Sequence, residues 1–442
     1  MSQGFVALLV AVSLAGPLLP ASTSPEEASA SVDPDTTRRA QHLADIAYLQ
    51  EQLEARHPDP YAVASQESFE AALDAVRADL DALSDTEVSI RLREAVALLG
   101  DPHTNATFLD AVDYRHQLPV EFDQFAEGVF ITGAYPEHQD LLGLRVLAVG
   151  GRAVDDLRVD LARFVAAGRE PFARKRFPVF LRLAELHRYL GASLPGGRVR
   201  LQLADAEGRT REVAVQPLDE QVDVDRLVYL SEEIGHPTWI NYGEEDPALI
   251  VRDQDAGNGI YLVQYSSCWG RELEVRYGDT EDADRYPSFT NFADRVVARL
   301  QAGDVRTLIV DLRANSGGSS PQGTRLVRRI SALPEGQRPE RVVVAVSEQT
   351  FSSAVINAMD LRLMLGAEFV GMPTGGAPNH FGEVRVFALP NSGQVVAHST
   401  ASFGYMNGDP VTIRPDRRIE PTFADFMAGS DPVLAYVRAT SR

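Results

Sequence analysis

From Thr36 to about Gly100 the apolar residues fall three and four positions apart, as in Leu43, Ile46, Leu49 and Leu53, then Phe69, Leu73, Val76 and Leu80. That spacing places one apolar stripe on each of two helices. Ser84-Asp85-Thr86-Glu87 reads as a capping box and predicts a third helix through "VSIRLREAVALL". The turn "GDPHTN" closes the helical region, and "ATFLDAV" after it predicts a strand.

The period then changes. Between residues 116 and 220, "LPVEFDQFAEGVFITGAY" and "LRVLAVGG" alternate or run apolar as strands do, and "VRLQLADAEGRTREVAVQPL" predicts a hairpin around Glu207-Gly208. A polar stretch over 221–258 predicts a linker. From Gly259 onward, strand patterns ("GIYLVQY", "RTLIVDL", "RVVVAVS") alternate with helix patterns ("FADRVVARLQAG", "PQGTRLVRRISAL", "AVINAMDLRLML"). This order predicts an α/β layer over 259–442 whose mostly parallel strands are covered on both faces.

Composition narrows the class. The 442 residues are 44% hydrophobic and 24% charged, values of a soluble globular chain with room for more than one domain. With 63 acidic against 42 basic residues the net charge is -21, which argues against nucleic acid as a partner, because phosphate binding needs clustered cations. The opening run "GFVALLVAVSLAGPLLP" (4–20), followed by small residues with Ala28-Ser29-Ala30, predicts an export signal over 1–30 and a secreted or periplasmic protein. Gly16 and Pro17 interrupt the run, and it is short of the roughly 20 residues of a bilayer span, so no stable span is expected after cleavage. The helical region is assigned to 31–115. Cys268, the single cysteine, excludes an internal disulfide and is expected in the core.

Two strand-to-helix turns carry candidate chemistry. "TLIVDLRANSGGSSPQG" (307–323) stops a buried strand at Gly317-Gly318, where backbone N–H groups can approach a ligand closely. "VVVAVSEQTFSSAVINAM" (342–359) repeats the geometry with Ser352 and Ser353 at a helix start, where the dipole favours an anion. Two such turns on neighbouring strands suit a nucleophile in one and an oxyanion donor in the other, although spacing alone does not choose between the serines. The chain has one lysine, Lys175 in "FARKRF", far upstream. No metal-ligand pattern is present, and no cofactor is expected.

"VDLRANSGG", "TFSSA", "GMPTGGAPNHFGE", "GDPHTNATF" and the tail "IRPDRRIEPTFADFMAGSDPVLAYV" together resemble the tail-specific, or carboxy-terminal-processing, serine peptidases (S41-type), a family that includes the tricorn core protease. The resemblance spans residues 100 to 435 and implies a crotonase-like (ClpP/crotonase spiral) α/β catalytic domain acting on a peptide or protein substrate. It assigns Ser352 as nucleophile, with Ser353 and the Gly317-Gly318 turn as oxyanion donors. The lysine-dependent branch reads "G-x-P-T-x-G-K" where this chain has Gly371-Met372-Pro373-Thr374-Gly375-Gly376-Ala377, so Ala377 stands at the lysine position. Lys175 is then read as a solvated surface charge. The tricorn-like branch takes its base from a "D-x-H-T" motif, which falls on His103, with His380 in "APNHFGE" the competitor. Glu383 and Asp409 are candidate orienting acids, and Thr104 a hydroxyl partner.

"LLGLRVLAVGGRAV" (141–154) is similar to the core of PDZ-like domains, which bind peptides by strand addition. The expectation is thus a secreted serine peptidase with a helical cap and a PDZ-like module. Its rivals are an idle peptide- or ligand-binding protein on the same fold, and a crotonase-like acyl-CoA enzyme. Export and the lack of a basic patch for CoA phosphates speak against the latter.

Overall fold

In the computed structural model the described residues are 34–108, 116–235, 247–408 and 410–441. The expected export signal and most of "ATFLDAV" lie outside them. The chain forms two compact units. Of the described residues, one comprises those within 34–108, 163–168 and 381–402, and the other those within 116–162, 169–380 and 403–441.

The first unit is built on three helices, Pro34–Arg56, Gln66–Asp79 and Asp85–Ala97. Ser65 caps the second through the Ser68 N–H, and the Ser84–Glu87 box closes reciprocally on the third. Each such cap is worth about 1 kcal/mol. The sequence stripes meet in one core, where Ile46, Leu49, Leu53, Phe69, Leu73 and Leu80 are all at most 1% exposed. The same core receives Phe387, Leu389 and Val396 from the late hairpin Arg385–Ala388 and Val395–His398. Asn105–Ala106 adds an antiparallel edge to that hairpin. A segment nearly 300 residues downstream therefore completes the helical core, a long-range pairing that local periodicity does not report.

The second unit contains two sheets. An antiparallel one runs Val120–Phe125, Gly128–Ala134, Arg145–Val149, Val199–Ala204, Thr210–Val215 in spatial order, with the last two forming the expected hairpin. Val228–Tyr229, inside the span expected as a linker, pairs with Gly128–Ala134.

The other sheet runs Arg417–Arg418, Glu368–Gly371, Arg341–Val346, Thr307–Asp311, Ile260–Tyr265, Val251–Gly257. It is parallel except for the antiparallel edge Val251–Gly257. Every residue of Thr307–Asp311 and of Ile260–Tyr265 is buried, as strands covered on both faces require. Helix Ser353–Leu365 is buried from Ser353 through Leu361, and its buried polar side chains are bonded: Ser353 to the Gly318 carbonyl, Asn357 to the Ser320 carbonyl and Asp360 to the Thr324 hydroxyl. The architecture is mixed α/β.

Candidate active site

The turns after strands Thr307–Asp311 and Arg341–Val346 are neighbours because those strands pair in parallel, with Val310 opposite Val344 and Asp311 opposite Ala345. Side chains then tie the two turns together. The Thr350 hydroxyl donates to the Leu312 carbonyl at 2.8 Å, the Ser347 hydroxyl to the Arg313 carbonyl at 2.5 Å, and the Phe351 N–H to the Asn315 carbonyl at 3.0 Å.

Ser352, half-buried at the helix start, is held at φ 51 and ψ −126. These angles match the first central position of a type II′ turn, which glycine dominates. A serine held there stores about 1–3 kcal/mol of backbone strain, of the kind that clusters at functional sites. The helix runs forward from it through Val355 N–H to Ser352 carbonyl, 2.9 Å.

Facing it, Gly317 and Gly318 take φ 110 and 129. The glycines are also sterically required. A Cβ at Gly317 would stand 2.7 Å from the Ser352 Cβ, and one at Gly318 2.5 Å from the Cys268 carbonyl oxygen. The turn is clamped on its far side by Cys268, whose N–H donates to the Gly317 carbonyl (2.9 Å) and whose carbonyl accepts from Ser319 (2.7 Å). Cys268 is fully buried, and burial pushes its thiol up to about 12, so it is a clamp rather than a nucleophile.

The Gly317 N–H is engaged by Asn315 Oδ1 at 2.9 Å, while Asn315 Nδ2 donates to the Tyr265 carbonyl at 2.8 Å. Among the described residues the Gly318 and Ser353 N–H groups donate to no acceptor. The Ser353 hydroxyl donates to the Gly318 carbonyl at 2.8 Å, which locks these two donors to each other. Beneath the turn, buried Arg313 is forked between Asp311 and Asp431, at 2.7 and 2.6 Å from its Nη2. Burial works against ionisation of Asp431, but the Arg313 charge and two backbone N–H bonds hold its carboxyl below the usual range.

Lys175 is not the solvated surface charge its neighbours in sequence suggest. It lies half-buried on helix Glu170–Leu181, with Nζ donating to the Ser316 hydroxyl at 3.1 Å. Phe172 of the same helix stacks on Phe351 at 4.8 Å and brings the lysine with it. Desolvation, aided by the charge of Arg176, pushes its ammonium down to about 7.

His103 belongs to the helical unit and is buried there. Its N–H donates to Asp101 Oδ1 at 3.0 Å, and its ring Nδ1 lies 3.7 Å from the same oxygen. The other Asp101 oxygen accepts from the Thr104 and Ser399 hydroxyls, both at 2.6 Å, and lies 3.2 Å from His57 Nε2. Burial alone would raise the Asp101 pKa, but the bonds from His103, His57 and Ser399 hold it well below the carboxylate range. Thr104 thus meets the carboxylate beside His103.

His380, in the sheet unit, points Nδ1 at the Ala377 carbonyl (2.8 Å) and stacks on Phe403. Glu383 is exposed with φ 55, and its carbonyl accepts from the Thr400 hydroxyl. Asp409 lies outside the described residues. Sequence reasoning passed over Asp101, although it stands two residues before His103 in the quoted motif. It had no signal for His57 and Ser399, which only the fold brings to that carboxylate. Among the described residues no three His, Cys, Asp or Glu side chains converge as a metal-ligand set.

By sequence the chain matches no family model and no curated protein. Its structure is similar to that of mature CPAF complexed with lactacystin, at 15% identity and a TM-score of 0.64, over 92% of this chain and 98% of that one. Mature CPAF by itself gives 14% identity and 0.59, over 92% and 97%. The photosystem II D1 C-terminal processing protease aligns at 14% identity over 91% and 99%, with a TM-score of 0.39. At these identities the likeness is one of fold, and the mixed α/β architecture of this chain is that of mature CPAF along nearly its whole length.

Proposed function

We propose that this chain is a secreted serine peptidase of the tail-specific group, on the tricorn-like branch that lacks the usual lysine. Ser352 Oγ attacks the scissile carbonyl. The developing oxyanion is received by the Gly318 and Ser353 N–H groups, with Gly317 shaping the turn. His103 takes the serine proton and returns it to the leaving amine, and water then hydrolyses the acyl-enzyme by the reverse sequence. Asp101, whose Oδ1 lies 3.7 Å from the ring Nδ1, is the orienting acid of this reading.

The observation that carries this reading is the backbone of Ser352. A serine in a glycine-favoured conformation, at the mouth of a buried helix and beside two undirected N–H groups, is costly unless its oxygen is used. The sequence motifs and the CPAF-like fold support the same family, with the sheet unit as a crotonase-like catalytic domain and its antiparallel sheet as a PDZ-like module that admits peptide.

A fluorophosphonate probe tests it. Ser352 should displace fluoride and carry a single adduct, located by peptide mass spectrometry, and Ser352→Ala should stay unlabelled. An adduct on Ser353, or none on the folded protein, would overturn the assignment. Lactacystin, found with mature CPAF, is a second reagent to try on Ser352.

A further inference from the structure

The one lysine of the chain has no place in the chemistry above, yet it stands beside it. Its Nζ is 3.1 Å from the hydroxyl of Ser316, the residue preceding the Gly317-Gly318 turn. It lies 5.4 Å from the centre of the Phe351 ring and 5.9 Å from that of Phe172, so two aromatic rings flank it and displace part of its water. Phe351 immediately precedes Ser352. All of these residues belong to one compact unit.

The surrounding charges leave the lysine to itself. On its own helix, Arg174 is forked between Glu348 and Glu420, and Arg176 rests against Phe180. From the neighbouring turns, Arg313 is held by Asp311 and Asp431, and Arg418 pairs with Glu420. Glu348 and Glu420, the carboxylates that Arg174 draws to this helix, are therefore committed to arginines. Among the described residues no ion pair is formed by Lys175 itself.

We infer that Lys175 is a positioning residue for this active site: its ammonium holds the Ser316 hydroxyl, fixes the turn that presents the Gly318 N–H, and sets a positive charge beside the forming oxyanion. The inference rests on the peptidase reading above. A desolvated cation in a water-poor corner acts on a nearby negative charge more strongly than it would in bulk solvent. Because burial brings its ionisation down to about 7, the device fades as the pH rises through the neutral range. The neutral amine can still bond to Ser316, but the field is gone.

The test is the rate of fluorophosphonate labelling, measured from pH 5.5 to 10 on the full-length protein and three variants, with far-UV circular dichroism to confirm folding. The wild type should show a falling limb on the alkaline side. Lys175→Arg should keep most of the rate and lose that limb, since guanidinium stays charged. Lys175→Met should label more slowly by roughly tenfold to a hundredfold, as expected for a misplaced or uncharged donor loop. Ser316→Ala should share the loss, which keeps the test available if Lys175→Met does not fold.

Unchanged rates and an unchanged profile in Lys175→Arg and Ser316→Ala would overturn the inference. So would a dead Lys175→Arg, because that would make the lysine a base rather than a positioning charge. Ser352→Ala run alongside separates the failures. If it still labels, the peptidase reading is at fault, and if it is silent while the lysine variants behave as wild type, the inference alone falls.

Discussion

Asp101 in the helical unit and Ser352 in the sheet unit are both built around a polar oxygen, but their surroundings are opposite. Each Asp101 oxygen is satisfied: the His103 N–H on one side, the Thr104 and Ser399 hydroxyls and His57 on the other. Around Ser352 the backbone is forced into a glycine-like conformation, and among the described residues the Gly318 and Ser353 N–H groups have no acceptor. The first arrangement satisfies a buried carboxylate; the second, on the proposed reading, withholds acceptors so that a charge can form later. A group that must hand over protons needs a fixed orientation, whereas a nucleophile's site needs donors aimed at a charge that the resting state lacks.

The largest effects should come from ending each function outright. Ser352→Ala and His103→Ala should each lower peptide hydrolysis by at least about a thousandfold, read with a chromogenic peptide or casein. The fold should survive the serine change, since alanine meets the same strain at that position. Ser352→Gly sharpens the point. It should be equally inactive yet more stable by about 1 kcal/mol, because the relief of strain exceeds glycine's entropic cost. A less stable Ser352→Gly, read by denaturant unfolding, would mean that Ser352 is not strained.

Asp101 should matter for stability as well as for orientation. Asp101→Ala removes a buried charge from its partners and should destabilise the protein by about 3–5 kcal/mol. In the wild type its folded-state pKa lies below the unfolded value. Its contribution is therefore fully present above the ordinary carboxylate pKa of about 4, and is lost as the pH falls through the lower folded value. Urea unfolding at pH 7 and pH 3 should show that the gap between wild type and variant narrows at the acid end.

Next in size, Gly317→Ala should lower turnover by about a hundredfold, since its Cβ would press on Ser352 at 2.7 Å. The smallest effect is expected from His380→Ala, within about threefold of wild type, because that ring is turned to the Ala377 carbonyl. A collapse of activity there would move the base from the helical unit to the sheet unit and dissolve the comparison.

Much of this was legible in the chain because it is written locally. The heptad-like spacing of Phe69, Leu73, Val76 and Leu80, the Ser84 box and the apolar strands before Gly317 and Ser352 all report their elements directly. What was not legible depends on long-range pairing. Phe387 and Val396 complete a core begun at Ile46, Ser399 reaches Asp101, and Lys175 reaches Ser316, each across more than 100 residues. Lys175 was misjudged for a further reason. Its arginine neighbours make the segment look like a solvated face, while Phe172 folds it inward onto Phe351.

The central claim is that Ser352 and His103 act as one unit, and a double-mutant cycle on turnover tests it most directly. Casein or peptide hydrolysis would be measured for wild type, Ser352→Ala, His103→Ala and the double variant at constant pH. The account predicts that the double variant is no slower than either single one, because removing one partner already removes the pair. Losses that multiply, or a His103→Ala protein that keeps its turnover while Ser352→Ala is dead, would contradict it.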